Sequence, residues 1–289
     1  MWEYRSVETV FTNRTIPVSA VCAVLLFAAL SAIADVTRNL DYIPGTEYSD
    51  SRDHLDIHMP LGAKDTPVLV YFHGGALMFG DKHFGDPVAQ RLVPLGLAVV
   101  SANYRLSPGV KHPSHAQDAA AAVAWTMQHI SEYGGDPSRI YVAGHSAGAY
   151  LAALLAVDAT YLARYEIGSD AIAGAVLISP FLYVEETAKD RPKDVWGPEP
   201  DDWLAASVTP HIAAGKPPML LLYADGDEAW RKDQNIRFTE AMRQSGNADT
   251  SAIELPNRDH SSLISEINDS DDQIGEQILE FIGKTTSID

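Results

Sequence analysis

The sequence contains one cysteine and few basic side chains. Among its 289 residues, 21 are Lys or Arg and 39 are Asp or Glu, which gives a formal net charge of -18 at pH 7. This charge repels nucleic-acid phosphates and anionic membrane surfaces. Cys22 lies near the N-terminus, so the rest of the chain offers no disulfide, thiol nucleophile or thiolate metal site. The negative net charge therefore predicts that the protein has no nucleic-acid partner.

Sequence patterns of metal and nucleotide sites are missing as well. His54 and His58 have helical spacing, but they fall in a stretch predicted as a strand, and no carboxylate and third histidine accompany them in a recognised ligand pattern. No glycine-rich loop with a following lysine is present to hold a phosphate. We expect the protein to work without a metal or other cofactor.

The N-terminal segment lacks charge over a long run. Residues 16–34 are uncharged, are dominated by Ala, Val, Leu and Phe, and end in Ala-Ile-Ala before Asp35. Small residues at those positions suit signal-peptidase cleavage. Residues 1–34 are therefore interpreted as a signal peptide, and the mature protein as secreted or periplasmic, without membrane contact. The alternative is a retained anchor at residues 16–34, because 19 uncharged residues approach the length that spans a bilayer.

Apolar residues are plentiful and regularly arranged. They make up 46% of the chain, enough for a large core, and no repeat or long linker divides residues 35–289, for which we predict one domain. Continuous apolar runs, typical of strands buried on both faces, occur at 68–72, 97–101, 140–143, 175–179, 219–223 and 252–255. Helical periodicity is clearest at 117–133, 147–157, 235–245 and 272–282. This alternation predicts an α/β fold with a mostly parallel central sheet, helices on both faces and an antiparallel edge hairpin within residues 35–66.

The strongest chemical signal is Gly-His-Ser-Ala-Gly at residues 144–148. It follows a predicted strand and precedes a predicted helix, which is the context of a nucleophile elbow. A strand reverses into a helix this sharply only without side chains at positions 144 and 148, and the turn then presents the hydroxyl of Ser146. The helix start aims free amides and a positive dipole end at any anion beside it. An ordinary glycine turn is the alternative interpretation.

A second signal, His-Gly-Gly-Ala at residues 73–76, follows another predicted strand. A turn without side chains lets backbone amides approach a bound carbonyl oxygen. Gly74 and Gly75 on one side and Ala147 on the other are therefore candidate oxyanion donors. Alone, this motif indicates a plain turn, but its pairing with the elbow favours the catalytic interpretation. We expect His73 to hold the loop by hydrogen bonding.

A serine nucleophile needs a base to take its proton and an acid to orient that base. In a fold of this kind they follow in the order serine, acid, histidine. Asp225 and Asp227 both follow the strand 219–223. We prefer Asp227, because the turn needs a few residues before a side chain can swing towards the histidine, and we keep Asp225 as the alternative. His260 follows the last predicted strand. His112, His115 and His211 precede the acid and are expected to be structural.

Residues 184–218 form the least regular stretch of the chain and are rich in Pro, Asp, Glu and Trp. Loops beyond the carboxyl ends of parallel strands commonly form the ligand pocket. We interpret this stretch either as a cover of the active site or as a solvated crossover between strands.

Together, these motifs resemble the α/β-hydrolase esterases related to hormone-sensitive lipase and the bacterial feruloyl-esterase-like and kynurenine-formamidase-like hydrolases. The resemblance extends from Leu55 to the C-terminal helix. It rests on YFHGG at residues 71–75, FGDK at 79–82, SANYRL at 101–106, YGGDP at 133–137 leading into the elbow, Pro217-Pro218 and Asp259-His260. What it implies is a catalytic triad of Ser146, Asp227 and His260, with Gly74, Gly75 and Ala147 as oxyanion donors.

The chain departs from these families at two places. Many relatives carry a third glycine, or glycine and tryptophan, where this chain has Ala76 and Leu77, which indicates a differently shaped acyl pocket. The large N-terminal helical cap of hormone-sensitive-lipase relatives does not fit into residues 35–66. A smaller, feruloyl-esterase-like or formamidase-like architecture is therefore closer.

The function expected from the sequence is hydrolysis of a small carboxylic ester through an acyl-enzyme. A first alternative is an amide hydrolase such as an arylformamidase or a peptidase, because the pocket and not the triad decides which bond is cleaved. A second alternative is a catalytically inactive hydrolase fold used for binding. Such proteins usually lose a triad member, whereas each position is filled here.

Overall fold

A central eight-stranded sheet organises the chain in the computed structural model, which describes residues 34–45, 48, 50–168, 170–187 and 192–286. The strands are β1 (Ala34–Asp41), β2 (His54–Pro60), β3 (Thr66–Phe72), β4 (Ala98–Ala102), β5 (Gly135–His145), β6 (Ile172–Ile178), β7 (Met219–Ala224) and β8 (Thr250–Leu255). The signal peptide or anchor predicted for residues 1–34 lies, apart from Ala34, outside the described residues.

The strands lie in the order β1-β2-β4-β3-β5-β6-β7-β8. The pairs among β3 to β8 are all parallel, whereas β2 is antiparallel to both β1 and β4. Each of the six predicted apolar runs falls on one of the strands β3 to β8, and β1 and β2 form the edge hairpin predicted within residues 35–66. The predicted α/β fold with a mostly parallel sheet is confirmed.

Helices connect the strands and cover the sheet. In the described residues the α-helices are α1 (Asp86–Leu92), α2 (Ser114–His129), α3 (Ala147–Val157), α4 (Thr160–Ala163), α5 (Val184–Thr187), α6 (Pro200–Ala206), α7 (Ala229–Gln244), α8 (Ser262–Ser265) and α9 (Ile274–Thr286). Short 3-10 turns span Lys82–Gly85, Val93–Leu95, Ile130–Tyr133 and Thr209–His211, and a π-helical turn spans Pro192–Trp196. None of the helices in the described part of the chain is both long and apolar enough to cross a bilayer.

A hydrophobic core covers each face of the sheet. Along β3, Val68, Val70 and Phe72 pack into one core with α2, α3 and α7, whereas Leu69 and Tyr71 pack into the other with α1 and α9. Alternate residues of a strand point to opposite faces. Burial of both faces therefore requires the continuous apolar runs that are present in the sequence. Fully burying one such side chain contributes about 1.5–3 kcal/mol.

The largest differences from the predicted starts occur at two elements, α7 and β5. Helix α7 begins at Ala229 and not at position 235, because its first turns are largely polar and show no apolar period. Strand β5 begins at Gly135 and not at position 140, because Gly135 pairs with Thr66 of β3 ahead of an irregularity in the ladder. In both cases polar residues hide the start of the element from a reading of apolar patterns.

A buried ion pair connects β2, in the antiparallel edge of the sheet, to the segment that follows β3. The carboxylate of Asp56 and the ammonium of Lys82 lie 2.8 Å apart, and their side chains are only 1% and 3% exposed. Asp56 also accepts hydrogen bonds of 2.8 Å from the guanidinium of Arg38 and from the backbone amide of Asn39. Lys82 begins a 3-10 turn whose Phe84 lines the large cavity described below. The pair therefore holds part of the cavity wall in place.

Hydrogen bonding also sets the protonation of Asp56. Burial by itself would raise its pKa, but the hydrogen bonds from Lys82 and from the Asn39 amide outweigh burial and lower that pKa below its ordinary value of 3.8. A carboxylate whose pKa is lower in the folded state stabilises the fold above its unfolded pKa. That stabilisation is lost as the pH falls through the folded-state pKa. The pair thus stabilises the protein above about pH 4 and loses this contribution at lower pH.

Replacing Asp56 with Asn should lower the free energy of unfolding by about 3 kcal/mol at neutral pH, because Lys82 is left buried without its counter-charge. The deficit relative to wild type should shrink below about pH 4, where the wild type loses the same contribution. Urea unfolding followed by circular dichroism at neutral and acidic pH measures both effects.

The matched control for this variant is Asp50→Asn, which removes the exposed partner of Arg52. It should change stability by less than about 0.5 kcal/mol. A deficit for Asp56→Asn that is the same at neutral and at acidic pH would contradict the proposed role of the ion pair.

Candidate active site

Ser146 occupies a sharp turn between β5 and α3. Its φ is 54° and its ψ is -112°, an uncommon conformation for a residue with a side chain, with a cost on the order of 1–3 kcal/mol. The surrounding backbone holds it there. The Ser146 amide donates to the carbonyl of Ile178 in β6 at 2.8 Å, and the Ser146 carbonyl accepts from the amide of Tyr150 in α3 at 3.0 Å. Ser146 is thereby presented to a cavity at the edge of the sheet.

The glycines on either side of Ser146 let three backbone segments pack together. A Cβ on Gly144 would collide with the backbone of Gly148, and a Cβ on Gly148 would fall on the carbonyl oxygen of Phe72 in β3. Because these obstacles are backbone atoms, no side-chain rearrangement relieves them. The close approach brings residues 73–76, which follow β3, beside the serine.

Ser146, His260 and Asp227 form a continuous hydrogen-bonded chain. The Oγ of Ser146 lies 2.9 Å from Nε2 of His260, and Nδ1 of His260 lies 2.9 Å from Oδ1 of Asp227. The three residues follow β5, β8 and β7 respectively, and the carboxyl ends of parallel strands meet at one edge of the sheet. This geometry lets the imidazole accept the hydroxyl proton while its other nitrogen donates to the carboxylate.

Asp227 is buried, and both of its carboxylate oxygens accept hydrogen bonds. Oδ2 accepts from the amide of Ala224 at 2.9 Å and from the hydroxyl of Ser179 at 2.7 Å, which leaves Oδ1 for His260. Burial would raise the pKa of Asp227, but the hydrogen bonds from His260, Ala224 and Ser179 lower it overall. Asp227 is therefore ionised at neutral pH.

Asp225, the alternative acid, supports the same loop from the outside. Its carboxylate accepts hydrogen bonds from the amides of Asn257 at 3.0 Å and Arg258 at 3.1 Å, just before His260. These two bonds lower the pKa of Asp225. Its charge is thus directed at the loop backbone and not at the imidazole. Of the two carboxylates, the structure places Asp227 against His260.

The turn at residues 73–76 packs against the turn that carries Ser146. A Cβ on Gly74 would lie 3.4 Å from Cβ of Ser146, and Gly75 has a φ of 116° that favours glycine. Gly74, Gly75 and Ser146 line the same cavity. None of the described residues accepts a hydrogen bond from the amides of Gly74, Gly75 or Ala147. These amides are available to an external acceptor.

Ala76 and Leu77 keep a glycine-like backbone without being glycines. Their φ angles are 55° and 61°, in the left-handed region that disfavours residues with side chains, at a cost on the order of 1–3 kcal/mol each. The side chain of Leu77 is fully buried and packs into the core. Ala76 and Leu77 stand where the chain departs from the family pattern, and their backbone conformations strain the turn. The packing of Leu77 in the core stabilises the turn.

His73 is buried and braces this turn. Its Nδ1 donates to the carbonyl of Gly74 at 2.7 Å, and its ring stacks on Tyr104 with 4.4 Å between the ring centroids. The hydroxyl of Tyr104 donates to the carbonyl of His73 at 2.7 Å. Burial lowers the pKa of His73 to about 4, so the ring is neutral near neutral pH. His73 holds the loop by hydrogen bonding, as expected from its sequence position.

A cavity of about 970 Å³ lies above Ser146. The aromatic side chains in its wall are Tyr71, Phe79, Phe84, Phe181, Trp196 and Trp230. Phe181 and Trp196 are buried, whereas Phe79, Phe84 and Trp230 are exposed. The cavity thus combines buried aromatic side chains with an aromatic border open to solvent.

The stretch 184–218 contributes to this wall. Trp196 packs edge-to-face on Tyr150 and Phe181, with centroid distances of 5.4 and 5.9 Å, and Val195 is also buried. Because Tyr150 lies on α3, the stretch is anchored on the helix that follows the serine. Among the described residues of this stretch, Glu186, Thr187 and Trp196 line the cavity.

The histidines expected to be structural do not line the cavity; they are His112, His115 and His211. Burial lowers the pKa of His112 to about 4 and that of His115 to about 3, so both are neutral near neutral pH. In the part of the chain that the structure describes, no group of three His, Cys, Asp or Glu side chains is placed to hold a metal ion.

Sequence reasoning missed three residues that contact the hydrogen-bonded chain of Ser146, His260 and Asp227. His145 donates from Nε2 to the carbonyl of His260 at 2.8 Å, and burial lowers the pKa of His145 to about 3. Ser179 bonds to Asp227, and Arg231 donates from Nη1 to the carbonyl of Ser179 at 3.0 Å. His145 lies within the elbow motif and Ser179 ends a predicted strand. Neither pattern indicates where the side chain points.

Comparison with known proteins relates the chain to a family of enzymes. A family model described as the alpha/beta hydrolase fold matches residues 69–264. The chain is similar to the esterase LipQ of Mycobacterium tuberculosis, with 29% identity over 85% of this chain and 65% of that protein. It is also similar to the kynurenine formamidase of Danio rerio, with 27% identity over 86% of this chain and 84% of that protein.

A solved structure has the same fold. A thermophilic esterase from Thermogutta terrifontis with bound propionate matches with a TM-score of 0.68 and 24% identity, over 89% of this chain and 95% of that chain. At this identity the likeness concerns the fold alone. The match to LipQ spans 65% of the length of that protein, which is less than two thirds.

Replacing Gly148 with Ala should destabilise the protein by about 3 kcal/mol or more, because the new Cβ overlaps the backbone of β3. Thermal and urea unfolding measure this loss. Gly283→Ala is the control, since Gly283 also lies in a helix but a Cβ there meets no atom within 4 Å. It should be neutral or stabilise by about 0.5–1 kcal/mol. Equal effects of the two variants would contradict the close approach of α3 to β3.

Proposed function

Because the chain belongs to the α/β-hydrolase family, we propose that it is a serine hydrolase of carboxylic esters, with Ser146 as nucleophile, His260 as general base and acid, and Asp227 as the group that orients His260. The observation that carries this proposal is the unbroken hydrogen-bonded chain through these three side chains, with 2.9 Å at both steps. The chain of bonds ends at a cavity of about 970 Å³. The proposed chemistry needs no cofactor, because the protein supplies nucleophile, base and oxyanion donors.

In the first step, Nε2 of His260 accepts the hydroxyl proton as the Oγ of Ser146 attacks the carbonyl carbon of the ester. The carbonyl oxygen becomes an oxyanion, for which the amides of Gly74, Gly75 and Ala147 are the proposed donors. The positive end of α3 adds to its stabilisation. The imidazolium then protonates the ester oxygen of the leaving alcohol, the bond to that oxygen breaks, and the acyl group remains on Ser146.

In the second step, water releases the acyl group. His260 accepts a proton from water as the water oxygen attacks the acyl carbon, and the same oxyanion donors act again. Collapse of the intermediate returns the proton to the Oγ of Ser146 and frees the carboxylic acid. The lowered pKa of Asp227 keeps its carboxylate ionised, and this charge stabilises the imidazolium that forms in each step.

The cavity supports a small, uncharged and largely apolar ester as substrate. Phe181 and Trp196 provide an apolar wall, and the exposed rings of Phe79, Phe84 and Trp230 surround them. The formal net charge of -18 disfavours anionic substrates. The name of the similar LipQ, an esterase, supports the same bond type.

An aryl formamide is the second candidate substrate. The similarity to a kynurenine formamidase extends over 84% of that protein, and aromatic side chains in the cavity wall suit stacking with an aryl leaving group. The same three residues would cleave the amide, with the leaving nitrogen taking its proton from His260.

We also propose that the mature enzyme begins at Asp35 and is exported, with a retained anchor at residues 16–34 as the alternative. The proposal rests on the uncharged run and on its Ala-Ile-Ala end. Strand β1 spans Ala34–Asp41, so cleavage before Asp35 removes one residue of the edge strand. N-terminal sequencing of the protein from the periplasm or medium tests this proposal.

Replacing Ser146 with Ala should lower kcat/KM for p-nitrophenyl acetate and butyrate by about 10⁴-fold or more. It should also abolish labelling by a fluorophosphonate probe, because the nucleophile is missing. The exposed Ser131 provides the control, and Ser131→Ala should keep both activity and labelling. A Ser146→Ala protein that still turns over these esters would contradict the assignment of the nucleophile.

The two candidate substrates are separated by comparing phenyl acetate with formanilide on the wild-type enzyme. We expect the higher kcat/KM on phenyl acetate, because phenol is a better leaving group than aniline. A higher kcat/KM on formanilide would favour the formamidase. A protein that the fluorophosphonate probe does not label would favour a binding role instead.

A further inference from the structure

Ser179 contacts two members of the proposed triad at once. Its hydroxyl donates to Oδ2 of Asp227 at 2.7 Å, and the same oxygen lies 2.9 Å from Nδ1 of His260. Because a hydroxyl has one hydrogen, the donation to Asp227 leaves the oxygen lone pairs facing the N–H of the imidazole. The N–H of His260 therefore has two acceptors, Oδ1 of Asp227 and Oγ of Ser179.

The backbone of Ser179 is held in an unusual conformation. Its φ is 48°, in the left-handed region, directly after β6. Its amide donates to the carbonyl of Leu222 in β7 at 2.7 Å, and its carbonyl accepts from Nη1 of Arg231 at 3.0 Å. Arg231 is only 8% exposed and lies 3.6 Å, Nε to Oδ1, from Asp227. Two contacts thus fix the direction of the Ser179 side chain.

We propose that Ser179, braced by Arg231, is a positioning residue that aims the carboxylate of Asp227 at His260. A carboxylate whose far oxygen accepts only one hydrogen bond is freer to rotate about its terminal bond than one whose far oxygen accepts two. Here the hydroxyl of Ser179 and the amide of Ala224 hold Oδ2, so Oδ1 faces the imidazole. This inference rests on the proposed function of the triad and adds a residue to it.

A purely structural role predicts a different outcome from a positioning role. Loss of a structural contact lowers stability and leaves the chemistry of the folded enzyme unchanged. Loss of positioning lowers kcat without affecting KM, because Ser179 does not line the cavity. It also leaves the Asp227 carboxylate with one donor fewer, so the carboxylate attracts the imidazole proton more strongly.

The pH profile reports on that attraction. The charged and titratable groups that face His260 are Asp227 after β7, Arg231 on α7, His145 at the end of β5 and Asp259 in its own loop. Removal of the Ser179 hydroxyl takes one donor from Asp227 and one acceptor from the N–H of His260, and it leaves the other groups unchanged. Loss of the donor to Asp227 moves the acidic limb of the kcat/KM profile to higher pH, whereas loss of the acceptor for His260 moves it to lower pH. The direction of the shift therefore tells which of the two contacts of Ser179 dominates, and the positioning of Asp227 predicts a shift to higher pH.

The test is Ser179→Gly, which removes the hydroxyl but suits the left-handed backbone. On p-nitrophenyl butyrate we expect kcat to fall by about 10- to 100-fold, the size of a lost hydrogen bond to a charged group. KM should stay unchanged, and the acidic limb of the kcat/KM profile should move to higher pH. The matched control is Ser51→Gly, a left-handed serine with a φ of 58° outside the cavity wall, which should keep wild-type kinetics.

Arg231→Met tests the contact between Arg231 and the carbonyl of Ser179 in the same assay. If Arg231 acts through Ser179, the double variant of Arg231→Met and Ser179→Gly should lose little more kcat than Ser179→Gly alone. The reason is that both substitutions release the same carboxylate, that of Asp227. If the kcat losses of the two single variants multiply in the double variant, Arg231 does not act through Ser179. An active wild type with a Ser179→Gly variant of unchanged kcat and pH profile would overturn this inference alone. A wild type without esterase activity would overturn the proposed function and the inference together.

Discussion

The left-handed turn at Ser146 is the constraint on which the rest of the site depends. It exists because β5 runs directly into α3, and two glycines let the backbone of α3 press against the end of β3. This close approach sets the positions of the serine, the Ala147 amide and the turn that carries Gly74 and Gly75. The strained conformation costs on the order of 1–3 kcal/mol. A parallel sheet buried on both faces provides the rigidity that holds it.

The other members of the site come from separate strands, and each is held by its own polar brace. Asp225 accepts hydrogen bonds from two backbone amides of the loop that carries His260, and Ser179 donates a hydrogen bond to Oδ2 of Asp227. His73 closes the turn after β3 by hydrogen bonding to the next carbonyl. The site is therefore assembled from short turns at one edge of a rigid sheet, with a polar contact that locks each turn.

The strands and most helices were predictable because a strand buried on both faces must be apolar at successive positions. The same reasoning failed where elements begin with polar residues, as at Gly135 in β5 and Ala229 in α7. There the pairing of neighbouring strands and the packing of the later turns determine the start. The position of Trp196 in the cavity wall is unpredictable for a similar reason, because its burial depends on aromatic contacts with Tyr150 of α3 and with Phe181.

By itself, the sequence determined the fold class, the candidate nucleophile Ser146 and the glycines beside it, because these follow from local motifs and from the order of elements along the chain. Only the tertiary structure shows that Asp227 and not Asp225 contacts His260, because the two carboxylates share one turn and one chemistry and differ in the direction of the side chain. It alone brought Ser179 to Asp227, a residue 48 positions away. Such contacts depend on how parallel strands align at a common edge, and a linear pattern of residues carries no record of that alignment.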